Sequence, residues 1–272
     1  MKNIRIGKNW LYIPLIAMAI FYLLPMYVML ATGFKSFAEV DLKTMWNLPQ
    51  GIHFDNYIEA FQHLSPSLKN SFLMVVPATL ISSMLGSLNG FILAKWKFRG
   101  ADIIFPFILF GMFIPYQSII IPLVQFMSTI GLKGLPGLAT AHIIYGIPIT
   151  TLTFRNYYAS LPQELLEAAK IDGADMLGVY RHILLPISIP SFVVVLIWQF
   201  TSAWNDFLFA VILTGNTEWP VTVALNNMAG SQIIQWNVQM AGSLLAALPT
   251  LLVYIFLGRY FLRGLLAGSL KG

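Results

Sequence analysis

The chain has 272 residues, of which 57% are hydrophobic and only 10% charged, with a formal net charge of +5. Composition of this kind, with a mean hydropathy of +0.73, excludes a soluble domain of this length and defines a membrane protein. The absence of cysteine removes disulfides, thiol catalysis and Cys-ligated metals together.

A hydrocarbon core about 30 Å thick takes roughly 20 apolar residues per helix. Six stretches meet that requirement, at about 10–32, 70–94, 102–130, 135–154, 187–213 and 240–262. They predict an all-α polytopic protein with six transmembrane helices and a single domain over 1–272, its core at about 70–262. The first stretch follows Lys2, Arg5 and Lys8 as a signal sequence would. It is longer than the roughly 7 to 15 residues of a signal h-region and lacks a small-x-small cleavage site, so it reads as a retained helix. After it, residues 33–69 form the longest outer segment, where NYIEAF at 56–61 predicts a short amphipathic surface helix.

Further along, Ser82, Gly86 and Gly90 stand at i, i+4 and i+8, a small stripe that admits close approach of another helix. Asn89 lies beside it. The third stretch carries Pro106, Pro115, Pro122 and a polar YQS at 116–118, which predicts a broken middle or a nearby water-filled cavity. In the fifth, Gln199 suits a hydrogen bond to a neighbouring helix. Asp206, in AWNDF at 203–207, is an ionisable group about twenty residues into an apolar run. At that depth a carboxylate is a candidate for gating or substrate contact, together with Trp204, Asn205 and Asn89; were the span to tilt or start late, Asp206 would lie at the outer interface. The following outer loop, 215–239, has one charge, Glu218, and two tryptophans, Trp219 and Trp236, that read as interfacial anchors.

Six spans put both ends on one side, and basic residues choose which. Lys2, Arg5, Lys8, Lys95, Lys97, Arg99, Arg155, Lys170, Arg181, Arg259, Arg263 and Lys271 share that side, 12 of the 16 Lys and Arg residues. Because Lys and Arg are retained in cytoplasmic loops, both termini are expected in the cytoplasm and the protein in the cell membrane. The net positive charge is thus topological; no basic patch interleaved with aromatics points to nucleic acid.

One loop on that side is unusual. LPQELLEAAKIDGADMLGVYRHILLPISIP, at 161–190, holds six of the 27 charged residues. Ser160 with Gln163 suggests a capping box, Pro162 a first turn, and residues 163–171 a helix with Glu164 and Glu167 near its positive end. Gly173 should stop it in the left-handed region, and a second short helix should run from about Asp175 to Pro186. The loop, about 160–186, therefore reads as a helix–turn–helix whose alanine face, Ala168 and Ala169, invites close approach by another protein. Its four acids against two bases suit an anionic leaflet poorly.

No catalytic constellation accompanies this. The four histidines lack ligand spacing, and there is no HExxH, GxSxG or paired carboxylate array. Gly173 and Gly178 have phosphate-loop spacing but precede Val179 and Tyr180 rather than Lys and Ser/Thr.

EAAKIDGADMLGVYRHILLP, Glu167 to Pro186, closely resembles the EAA loop of the membrane subunits of binding-protein-dependent ABC importers. Phe154, Arg155, Leu161, Pro162, the WND at 204–206 and the ending RGLLAGSLKG at 263–272 resemble the carbohydrate branch, and within it the second, maltose-transporter-type permease subunit. The resemblance implies the type I ABC importer permease fold. It implies that the loop is a coupling helix docking a cytoplasmic ATPase through Glu167, Ala168, Ala169, Asp172 and Gly173. It also implies that the cytoplasmic tail, including Gly268, Ser269, Leu270, Lys271 and Gly272, runs along the ATPase subunits. The implied partners are a homologous permease, two ATPase subunits that bind ATP and magnesium in place of this chain, and an extracytoplasmic sugar-binding protein. PVTVALNN, 220–227, is similar to importers of glucose or mannose. The alternative from another class is an ion-coupled secondary carrier protonated at Asp206, against which stand the lone carboxylate and the lack of an inverted repeat.

Overall fold

A computed structural model describes residues 10, 12–96, 98–230 and 234–269, with the side chains of 170 and 261–269 left aside. Among the described residues all regular structure is helical. In chain order the helices are α1 Tyr12–Gly33, α2 Asp55–Lys95, α3 Ala101–Phe110, α4 Tyr116–Thr129, α5 Gly134–Ala159, α6 Glu164–Ile171 and α7 Met176–Val179. After a π-helical turn, Tyr180–Leu184, come α8 Leu185–Ile187, α9 Ile189–Trp204, α10 Leu208–Leu213, α11 Val221–Ala229 and α12 Trp236–Ser269. Four are long and apolar enough to cross a membrane: α1, α2, α5 and α12 over Trp236–Tyr260. Two bent pairs raise the number to six if each is one span: Ala101–Phe113 with Tyr116–Thr129, bent by 101°, and Met176–Ile187 with Ile189–Trp204, bent by 75°.

Two expectations change and one holds. The surface helix at 56–61 is not separate but the first turns of α2, 41 residues long and thus about 62 Å at 1.5 Å per residue. Pro66 does not stop it, although proline removes the bond to the Gln62 carbonyl; Ser65 Oγ donates to that oxygen instead, at 3.5 Å. The third span is broken, as its prolines predict, at Ile114–Pro115 immediately before Tyr116. The fifth does not run from 187 to 213: α9 ends at Trp204 and residues 205–207 separate it from α10.

The chain divides into two compact units, Met1–Ser65 with Leu225–Leu248, and Pro66–Ala224 with Pro249–Gly272. In the first, Ala60, Val238 and Ala241 form a small core with Tyr57, Met228 and Leu245 against it. Asn56 is its polar pivot: its Nδ2 donates to the carbonyls of Gly33 and Lys35 at 2.9 and 2.8 Å, while its Oδ1 accepts from Asn237 Nδ2 at 2.8 Å. Lys35, 1% exposed, donates from Nζ to the carbonyl of Thr44 at 2.7 Å, so the segment after α1 closes on a buried lysine. Nearby, the backbone N–H of Gln50 and the hydroxyl of Ser36 donate to the Glu39 carboxylate and hold it below the usual carboxylate range.

In the second unit the stripe at 82, 86 and 90 does what small residues predict. A Cβ on Gly86 would lie 2.1 Å from Thr150 Oγ1, and one on Gly90 would lie 2.6 Å from the backbone nitrogen of Arg155. Only glycine lets α2 and α5 touch backbone to backbone. Thr150 Oγ1 then donates to the Ser82 carbonyl at 3.0 Å.

Candidate functional site

The charged loop forms the expected helix–turn–helix, with a different start. Ser160 is not an N-cap; it closes α5, donating from Oγ to the Tyr157 carbonyl at 2.7 Å. Pro162 precedes α6 rather than standing in its first turn. A serine one residue past a helix end can serve the old helix or the new one, and the nearer carbonyl wins. The stop is as expected: Gly173 has φ +80°, a conformation costing an L-residue about 1–2 kcal/mol. Asp175 then caps α7, its Oδ1 accepting from the Gly178 N–H at 2.7 Å.

The underside of this loop is core. Leu166, Ala169, Val179, Tyr180 and Leu184 pack with Phe91 of α2, Phe154 and Tyr158 of α5, and Val195 of α9. Ala169 is therefore not on the outward face; at 4% exposed it is what lets α6 lie flat on its bed. Lys95, at the end of α2, donates to the Leu161 carbonyl at 2.7 Å and pins the loop's entry. Beneath, hydroxyls form a chain. Tyr180 Oη donates to Ser87 Oγ at 3.0 Å, Tyr158 Oη to Ser188 Oγ at 3.1 Å, and Ser188 Oγ to the Leu185 carbonyl at 2.9 Å. Each hydroxyl has one proton. Since Tyr158 has spent its own on Ser188, the 2.7 Å contact between Ser87 Oγ and Tyr158 Oη must be donated by Ser87.

The outward face carries Glu167, Ala168, Asp172 and Gly173, all exposed. Two apolar side chains not singled out in the sequence stand with them, Ile171 at 87% and Leu177 at 65% exposed. Their signal was available, since both flank the glycine stop where a free loop would carry polar residues. Of the tail, Gly268 and Ser269 are the last residues of α12; Leu270, Lys271 and Gly272 lie outside the described residues, as do Lys2, Arg5, Lys8 and Lys97.

Around Asp206 the structure revises the local reading. The residue lies two positions past the end of α9 rather than deep in a helix, and starts α10: Oδ1 accepts from the Phe209 N–H at 3.4 Å and Oδ2 from that of Ala210 at 3.0 Å. Its carbonyl accepts from Thr222 Oγ1 at 2.8 Å. His142 Nε2 of α5 stands 3.4 Å from Oδ2, both side chains nearly buried. Asn205 and Asp206 line a pocket of about 250 Å³ with Tyr116, His142, Tyr145 and Phe209. Trp204 and Asn89 are not there. Trp204 is 2% exposed and packs against Phe72 and Phe200, at 4.9 and 5.5 Å between centroids. Asn89 donates to Thr151 Oγ1 at 3.5 Å across the α2–α5 contact. Gln199 donates to the His142 carbonyl at 3.0 Å, the interhelical bond its burial predicts.

The fold and site together are those of an all-helical membrane chain with broken spans and an exposed helix–turn–helix rooted in its core, and the family match makes it a transport permease. The chain belongs to the family described as binding-protein-dependent transport system inner membrane component, whose profile matches residues 86–266. It is 47% identical, over the full length of both chains, to a probable ABC transporter permease protein of Pyrococcus horikoshii. It is 35% identical to the xylose/arabinose import permease protein of Haloferax volcanii, over 92% of this chain and 90% of that one. With the glucose import system permease protein of Saccharolobus solfataricus it shares 32% identity, over 96% and 95% of the two chains. Among solved structures, a chain of a bacterial ABC transporter that imports the acidic polysaccharide alginate superposes with a TM-score of 0.78 at 21% identity, covering 96% of this chain and 99% of that one. That likeness gives the fold: a type I ABC importer permease.

Proposed function

We propose that this chain is the permease subunit of an ATP-driven, binding-protein-dependent importer that carries a sugar into the cytoplasm. The sugar class is supported by relatives named for xylose/arabinose and for glucose; their difference leaves the particular sugar open. A homologous permease, two ATPase subunits and an extracytoplasmic sugar-binding protein complete the assembly, and both termini face the cytoplasm. The observation that carries the reading is the charged loop, which has an exposed face, Glu167, Ala168, Asp172, Gly173, Ile171 and Leu177, on an underside built into the core. Such a loop can receive a push. When the ATPase subunits close, the loop is drawn inward, and α2, α5 and α9, which share its core, move with it; hydrolysis reverses the movement. The tail from 265 runs along the ATPase subunits. The carrier alternative has no comparable support, because two backbone amides and His142 already occupy the Asp206 carboxylate.

The test uses Gly173→Val and Glu167→Lys in reconstituted vesicles. A side chain at Gly173 strains the turn and swings α7, while a cation at 167 puts the wrong sign in the ATPase cleft, where an unpaired charge costs several kcal/mol. Both variants should insert normally and lose ATP-dependent uptake, with ATPase subunits loosened or uncoupled. Normal transport by both would remove the coupling assignment.

A further inference from the structure

The segment between α1 and α2 does not lead straight away from the membrane but folds back along α1. Trp46 stacks on Tyr27, with ring centroids 6.5 Å apart and planes 9° from parallel, and Tyr27 Oη donates to the Trp46 carbonyl at 2.8 Å. Tyr27 stands six residues before Gly33, the last residue of α1, which is about 9 Å back along the helix axis. The apolar window of α1 is 0% buried against the rest of the chain, as for a span that faces lipid. A loop held beside Tyr27 is therefore held at the depth of that span's last turns.

The tip of this loop keeps its polar groups for itself. Three successive carbonyls, those of Thr44, Met45 and Trp46, accept from side chains of α1 and the residues just after it: Lys35 Nζ at 2.7 and 3.4 Å, and Tyr27 Oη. The amides are taken as well. Thr44 N–H donates to the Asp41 carbonyl at 3.1 Å, Asn47 N–H to the Thr44 carbonyl at 2.9 Å, and Lys43 N–H to Asp41 Oδ1 at 2.7 Å. A loop in water can leave such groups to the solvent, whereas non-helical backbone at membrane depth must have them satisfied by protein. What the tip presents outward is apolar: Leu42 is 86%, Leu48 72% and Trp46 51% exposed.

We infer that residues 41–48 form a foot seated in the headgroup–acyl boundary of the leaflet at the Gly33 end of α1, with lipid as its partner. A tryptophan and outward leucines at this level are the side chains that boundary takes. A protein approaching from the water would reach the level of Gly33 before that of Trp46, so depth favours lipid. The exposed charges of the tip are one acid, Asp41, and one base, Lys43, so the contact does not need an anionic leaflet. The sequence places a membrane-surface element at 56–61; those residues belong to α2, and the element that meets the bilayer surface is the neighbouring tip.

The full-length chain has no cysteine of its own, which makes the test direct. An environment-sensitive fluorophore is attached at Leu42→Cys or Leu48→Cys, and the chain is inserted into phosphatidylcholine vesicles, with Leu177→Cys on the charged loop as the water-exposed control. Lipid carrying a nitroxide high on its acyl chain should quench the label at 42 and 48, iodide on both sides of the vesicle should quench it at 177 alone, and emission at 42 and 48 should be shifted to shorter wavelength than at 177. Adding phosphatidylglycerol should leave this pattern unchanged. Quenching of 42 and 48 by iodide and not by lipid would overturn the foot, leaving a surface that faces water. Protection of both positions from both quenchers would overturn it in favour of a protein cover, such as a second copy of this chain. Lipid quenching that appears only with phosphatidylglycerol would overturn it too, since charge rather than the apolar face would then hold the loop.

Discussion

At the scale of single residues, the hydroxyl chain beneath the charged loop has a direction that can be tested. Protons run from Tyr180 through Ser87, Tyr158 and Ser188 to the Leu185 carbonyl. Tyr180 is a terminal donor, so Tyr180→Phe removes one neutral bond, worth about 1 kcal/mol. Tyr158 stands in the middle. Its replacement by Phe leaves the Ser87 donor without an acceptor in a fully buried position, and should destabilise by about 1–3 kcal/mol more. Thermal unfolding of the two variants in one detergent would check the order; equal losses would mean the bonds do not form a directed chain. Residues of this kind differ greatly in how far the sequence alone reveals them. Gly173 was legible because a helix stop needs φ > 0 and one residue type supplies it cheaply. Ser160 misled because a serine between two helices serves either. His142 and Tyr145, three apart on one face of α5, seemed unremarkable until the fold set Asp206 beside them.

Helices and their contacts show a similar division. The α2–α5 contact could be read from Ser82, Gly86 and Gly90, since small residues at a spacing of four have few other uses in a membrane helix. Gly86→Leu should therefore be among the most damaging single changes in this unit. Its first side-chain atom would meet Thr150 Oγ1 at 2.1 Å and the Thr150 backbone carbon at 2.8 Å. Thermal unfolding should register a loss of about 1–3 kcal/mol or more, whereas Gly258→Leu, with nothing within 4 Å in this chain, should cause little. The end of α9 was harder to read. The dip in hydropathy at TSAWND, 201–206, is short against the apolar run on either side, and the rule that an Asp before an apolar run starts a helix is what would have placed a boundary at Asp206. The length of α2 escaped for the opposite reason. Pro66 looks like a punctuation mark, and local hydrogen bonding at Gln62 lets the helix pass it.

For the molecule as a whole, the proposed assembly depends on the exposed face of the charged loop and on the tail. Removing 265–272 should weaken retention of the ATPase subunits during purification while leaving membrane insertion intact; full retention and transport would mean that α12 ends there without a partner. A different consequence follows from the π-helical turn Tyr180–Leu184, which joins the loop to the span beginning at Ile189. Such a turn accommodates one residue more than an α-helix would. Each residue of an α-helix advances the chain by about 100° around the axis. Deleting one residue from a regular α-helix therefore turns everything beyond the cut by about that angle. Deleting one from 180–184 would instead let the π-turn close to an ordinary α-turn, so that α7 and α8 keep their faces and Glu167 and Asp172 still point where they do now. The joint thus carries slack in length: along a line of descendants it can lose a residue where the uninterrupted helices on either side cannot.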